Sequence, residues 1–202
     1  KTIDASSGWK EGHYYLYVRG VDKGGIKSLE KAIGFVIDRT APVLNSVTIT
    51  PSTSASSYSN KLPKITWNVT EKNLLSIQVK VNNGNYAALA GTNTGNATIS
   101  DLESEKINTI SVRAIDRAGN ISAEKKFTYY YDRTKPVINN FKISPDTSEE
   151  IHSDNEEPKI TFDVSENTLK NVKITIKNDE GEQKTVYDGS SAKGTVTVNK
   201  GV

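Results

Sequence analysis

The chain has no cysteine and no methionine in 202 residues, and only two histidines, His13 and His152. Without cysteine there are no disulfides and no thiolate metal sites, so any domain here must stand on packing alone. Zinc needs clustered histidine or cysteine, which the sequence does not offer. The two histidines also lack a serine or cysteine nucleophile and an acid partner in register, which argues against nucleophilic catalysis. No apolar run approaches the roughly 18 residues of a membrane-spanning helix. Lysine and arginine (26) nearly balance aspartate and glutamate (24) with no basic tract, so nucleic acid is not implied as a partner. There is no P-loop or dinucleotide fingerprint. The missing methionine at position 1 leads us to expect an excised piece of a longer or processed protein.

What is present is repetition. The segment Val18–Val43 (VRGVDKGGIKSLEKAIGFVIDRTAPV) returns ungapped as Val112–Val137 (VRAIDRAGNISAEKKFTYYYDRTKPV), 94 positions on, with 12 of 26 residues identical. Downstream, Pro63-Lys64-Ile65-Thr66-Trp67 reappears as Pro158-Lys159-Ile160-Thr161-Phe162, one residue later. Self-similarity at a fixed period marks a tandem array.

Within one period the apolar residues alternate, which is the pattern of half-buried strands. Seven strands are expected: Val43–Thr50, Ile65–Thr70, Ser76–Val81, Tyr86–Leu89, Ala97–Leu102, Thr109–Ile115 and Lys126–Tyr131. Turn chemistry separates them at Asn-Asn-Gly (82–84), Asn-Thr-Gly (93–95) and Arg-Ala-Gly-Asn (117–120). The expected fold class is all-β: tandem immunoglobulin-like antiparallel β-sandwiches with about seven strands per complete unit.

Boundaries are expected at Asp38-Arg39-Thr40-Ala41-Pro42 and Asp132-Arg133-Thr134-Lys135-Pro136, where proline restricts the backbone and no glycine or serine cushions the joint. This gives 1–40 as the closing strands of one unit, 41–134 as a complete sandwich, and 135–202 as the opening strands of another. The end segments read as complementary parts of one domain. They reflect either fragment boundaries or head-to-tail self-association by strand addition.

The D-x-x-G-x-x-S element after V-R-[AG], followed by an aromatic strand running into D-R-T-x-P-V, resembles the bacterial immunoglobulin-like tandem domains of large surface and secreted proteins. The resemblance covers essentially the whole chain. It implies an extracellular setting, on the cell surface or secreted, and a non-catalytic spacer, display or adhesion role. It also implies neighbouring units of the same protein as partners. The alternatives are a module that binds a surface glycan or host protein, and an accessory module beside a secreted enzyme.

In such a sandwich the closing strand of one unit ends beside the second and sixth loops of the next. Asp38 is therefore expected to meet Glu71, Asn73, Asp116 and Asn120, and Asp132 to meet Glu166 and Asn167. Calcium takes six to eight oxygens from such mixed carboxylate and amide sets, and the resemblance implies calcium at joints of this kind. Arg39 and Arg133, which follow the aspartates, offer the competing reading of bidentate salt bridges.

Trp67 and Phe162 occupy one repeat position and are expected in the core. Tyr129-Tyr130-Tyr131 must face both ways, as sheet packing or as a sugar-stacking strip. Three tripeptides, starting at Asn68, Asn96 and Asn120, match the glycosylation pattern.

Overall fold

The computed structural model describes residues 8–144 and 157–198, and every regular element in them is a β-strand. His152 lies outside the described residues. Among those described, no helix is long and apolar enough to cross a membrane. Strands β1 (Gly12–Val18) and β2 (Lys31–Ile37) form an antiparallel hairpin. Then come β3 (Val43–Thr50), β4 (Lys64–Thr70), β5 (Leu74–Val81), β6 (Ala87–Ala88), β7 (Thr94–Thr98), β8 (Lys106–Asp116) and β9 (Lys125–Tyr131). They form a three-stranded sheet in the order β3-β4-β7 and a four-stranded sheet in the order β6-β5-β8-β9. That division of seven antiparallel strands is an immunoglobulin-like strand order. The series continues with β10 (Val137–Ser144), β11 (Lys159–Ser165), β12 (Val172–Lys177), β13 (Gln183–Gly189) and β14 (Lys193–Thr197). These pair as β10-β11-β14 and β12-β13, the same order as β3 to β7.

By contacts the chain divides into two compact units. The first runs to Ser52 and takes in Pro63–Asp101 and Thr109–Thr128. The second takes in Thr53–Leu62, Leu102–Asn108 and the described chain from Tyr129 on.

In the first unit alternation decides which face is buried. Ile65, Trp67 and Val69 of β4 are buried while Lys64, Thr66, Asn68 and Thr70 are exposed. Ile77 and Val79 of β5 and Ile110, Val112 and Ala114 of β8 complete the same apolar layer. The indole of Trp67 is buried with its Nε1–H donating to the Thr92 carbonyl at 3.0 Å, so its one polar group is satisfied.

In the second unit Ile160, Phe162, Val164 and Ile174 form a core against Leu169, Val172, Val186, Tyr187, Val196 and Val198. Phe162 meets the Tyr187 ring at 5.0 Å between centroids. Tyr129 and Tyr131 are buried. Tyr130, on the opposite face, is half-buried and takes Tyr58 edge-on, so the tyrosine run is spent on packing rather than on an outward strip.

The repeat extends to backbone irregularities. A bulge falls between Leu44 and Ser46 on β3 and between Ile138 and Asn140 on β10, positions 94 apart. The bulged Asn45 donates to Asn68 and Thr70, and the bulged Asn139 donates to Ser165.

Two expectations are corrected. Asn-Thr-Gly (93–95) is not a turn, because β7 begins at Thr94. The strand expected over Ala97–Leu102 lies instead at Thr94–Thr98. Gly95 is there for room. It faces Trp67 across the sheet, and a Cβ on it would lie 2.6 Å from the indole Cζ2. Gly194 stands in the same relation to Phe162, where a Cβ would lie 3.0 Å from the ring. A glycine under a large ring in a strand reads, in sequence, like a turn signal.

Candidate functional site

The turn after β8 is built around Asp116. Its Oδ1 accepts from the backbone N–H of Ala118 and of Asn120, each at 2.8 Å, and its Oδ2 accepts from Asn120 Nδ2 at 2.8 Å. Gly119 adopts φ 92°, the left-handed conformation that closes this loop. Burial on its own would raise the pKa of Asp116, but the amide donors of Asn120, Ala118 and Gly119 outweigh it and hold the carboxyl below its ordinary value. Asp116 is therefore a fully buried, ionised carboxylate.

Two other carboxylates join it in the first unit. Oxygens of Asp38, Glu71 and Asp116 all lie within 4.8 Å of one another. Asp38, after β2, accepts from Thr40 N at 3.2 Å and from Asn73 Nδ2 at 2.9 Å. Glu71, between β4 and β5, accepts from Asn73 N at 2.7 Å. Asn120 Nδ2 also reaches the Asp38 carbonyl at 3.1 Å, tying the β2 exit to the β8 turn. All five residues expected here from the sequence are thus brought together.

Arg39 Nη1 donates to the Trp9 carbonyl at 2.9 Å, and its backbone N–H donates to Glu11 Oε1 at 2.7 Å. Glu11 also accepts from the Thr40 hydroxyl, and it lines a cleft of 420 Å³ together with His13, Asp38, Thr40, Glu71 and Asn73.

A second group sits in the second unit, where oxygens of Glu105, Asp132 and Glu166 lie within 4.8 Å of one another. Asp132 accepts from Thr134 N at 2.9 Å and from the Thr168 hydroxyl. Glu166 accepts from Thr168 N at 3.1 Å, while its Oε2 is buried with no hydrogen-bond partner. Thr168 thus fills the role that Asn73 has in the first group. Asn167 donates instead to Glu105 Oε2 at 3.0 Å.

Glu105 and Glu11 were not among the residues singled out from the sequence. They lie 94 positions apart and are identical, so carrying the repeat alignment upstream of Val18 would have found both. Of the glycosylation tripeptides, Asn68 and Asn96 lie inside paired strands, and the Asn120 side chain is engaged by Asp116 and Asp38.

Three carboxylates this close repel one another by roughly 3–4 kcal/mol per pair at an effective dielectric of about 20. Donated hydrogen bonds offset part of that, and a cation would offset the rest. The donor set is all oxygen, mixing carboxylates and amides, and it includes one buried carboxylate oxygen without a partner. This is chemistry that suits a hard divalent ion such as calcium.

No protein-family model matches the chain, and no curated protein does. A solved structure described as a tetra-tandem repeat in the extending region of a large adhesion protein is similar over 98% of this chain, with 16% identity and a TM-score of 0.35. The match spans 51% of that solved chain.

Proposed function

We propose that this polypeptide is a non-catalytic spacer of tandem immunoglobulin-like modules in an extracellular protein, cell-surface or secreted, where it holds an adhesive or catalytic module at a distance. The modules are 1–40, 41–134 and 135–202. The observation that carries the reading is the recurrence, one period apart, of a carboxylate pair after a closing strand: Asp38 and Glu71, joined by Asp116, then Asp132 and Glu166, joined by Glu105. A catalytic pair is needed once, whereas a joint is needed at every boundary.

In this reading Asp38, Glu71, Asp116 and Asn120 hold calcium at the first joint, and Asp132, Glu166 and Glu105 hold it at the second. The ion removes the like-charge repulsion and stiffens the array. The neighbouring units of the same protein are the partners. The test is small-angle scattering with calcium and then with chelator, alongside calorimetric titration of calcium. A stiff rod that loosens on chelation supports the joint. Superimposable profiles with no heat of binding would remove calcium and leave the prolines and hydrogen bonds to set the angle.

One observation favours a second reading, a module that binds a glycan or a host protein. Tyr15 and Tyr17 are exposed on β1 with ring centroids 6.4 Å apart, a spacing that suits stacking on sugar rings. Glycan-array binding that is lost in Tyr15→Ala/Tyr17→Ala would favour it.

A further inference from the structure

Residues 52–59, between β3 and β4, hold five serines and a threonine, the composition of a loose linker. In the fold this segment is held fast instead. The Ser59 N–H donates to the Tyr130 carbonyl at 3.0 Å, and the Asp132 N–H donates to the Ser59 carbonyl at 3.0 Å. The Tyr130 N–H donates to Thr53 Oγ1 at 2.9 Å, and the buried Tyr129 hydroxyl donates to the Lys61 carbonyl at 2.8 Å. The Tyr58 ring meets Tyr130 edge-on, with centroids 5.4 Å apart. Ser54 and Ser57 exchange backbone hydrogen bonds at 3.1 and 3.0 Å, so the segment also closes on itself. All of these residues belong to the second compact unit.

The direction of this pairing matters more than its extent. The bridge Ser59↔Tyr131 is parallel, unlike the antiparallel pairing of β3, β4 and β7. Tension carried along the chain enters residues 53–59 from their N-terminal side, through β3. It leaves β9 from its C-terminal side, at Asp132. In two parallel segments those points lie at opposite ends of the pair, so pulling slides one segment along the other. The hydrogen bonds run across that motion and are loaded together. In an antiparallel pair the same two points would lie side by side, and the bonds would peel one at a time.

We propose that residues 53–62 are a shear latch, which lets the module 41–134 bear tension between its ends without opening. The use of the latch rests on the spacer reading, since a module set between an anchor and a load is pulled at both ends. Thr53, Ser59 and Lys61 hold the end of β9 through backbone groups, and Tyr58 packs over the pairing. No carboxylate takes part in these contacts, so the latch does not depend on calcium. Its strength lies in the rate of unfolding, which governs forced unfolding, rather than in equilibrium stability.

The test is single-molecule stretching of the 202-residue chain at constant force in chelator. The chain has no cysteine of its own, so paired substitutions supply the handles. Ala41→Cys with Lys135→Cys loads the latch in shear, while Ala41→Cys with Asn83→Cys, in the turn after β5, bypasses it. The folded module should last longer in the first geometry. Thr53→Val keeps the shape but removes the acceptor of the Tyr130 N–H, and should shorten that lifetime about five- to tenfold. It should leave the second geometry unchanged. Ser59→Pro removes the donor to the Tyr130 carbonyl and should shorten the first lifetime further. Ser122→Ala deletes a matching bond outside the latch, 2.9 Å from the Ala114 N–H, and should shorten it less than Thr53→Val does. Circular dichroism checks that each variant is folded. Equal lifetimes in the two geometries would overturn the proposal, as would a Thr53→Val lifetime no shorter than that of Ser122→Ala. An array that scatters as a flexible chain while these lifetimes hold would count against the spacer reading alone.

Discussion

Strands β3 to β9 and strands β10 to β14 start from the same plan and reach different degrees of burial. Both have a three-stranded sheet bulged at an asparagine, a large ring on the central strand, and a glycine beneath that ring. The first set adds β8 and β9, and with them come fully buried Ile110, Val112 and Tyr129. The second has no such pair among the described residues, and Ile138, Phe141 and Ile143 of β10 stay exposed. The alternating pattern is equally good in both. Pattern therefore decides which face of a strand would be buried, while the opposite layer decides whether it is.

The largest test of that difference is removal of the central ring. Trp67→Ala should cost about 3–5 kcal/mol, because the indole fills a closed core and leaves a cavity that its paired strands cannot collapse. Phe162→Ala, at the same repeat position, should cost less, since β10 leaves room to relax. Denaturant melts followed by amide exchange separate the two, with β4 and β8 the most protected segments and β10 among the least. Equal losses at the two sites would mean that the second core is as closed as the first.

Much of the fold was legible because it follows from period and turn chemistry. The alternation of β4, Asn82 and Gly84 in the turn after β5, and the Asp116 loop each announce themselves locally. So was the meeting of Asp38, Glu71 and Asp116, because strand order alone sends a closing strand toward those loops. Position 95 was misread because glycine gives one signal for two causes, a positive φ and the absence of a Cβ, and only the neighbour across the sheet distinguishes them. Glu105 was missed because it lies in a connection with no pattern of its own. Its value comes from the identity with Glu11, one period back.

Gly95→Ala tests the second cause directly. The added methyl meets indole atoms at 2.6 and 3.0 Å in a packed interior, so a loss of about 1–3 kcal/mol is expected. Gly194→Ala meets Phe162 at 3.0 Å, in a core with freedom to give, and should cost less. Chemical denaturation midpoints with unchanged m-values would show that stability, rather than compactness, has moved.

The smallest effect contrasts two copies of one loop. Asp116 receives two backbone donors and the Asn120 amide, whereas at the equivalent Asp22 the place of Asn120 is taken by Ile26, which offers only its backbone N–H. Asp116→Asn keeps the shape but turns charge-assisted hydrogen bonds into neutral ones, at a cost of about 1 kcal/mol. Asp22→Asn should be nearly silent. The loss should also depend on pH in a definite direction. The folded-state pKa of Asp116 is depressed, so its contribution is fully present above the ordinary value of 3.8 and disappears as pH falls through the folded value. In chelator, where protons have no calcium to displace, wild type should therefore lose stability on acidification below about pH 4 more steeply than Asp116→Asn. Parallel slopes would show that the loop holds Asp116 by its shape, with its charge contributing nothing to the fold.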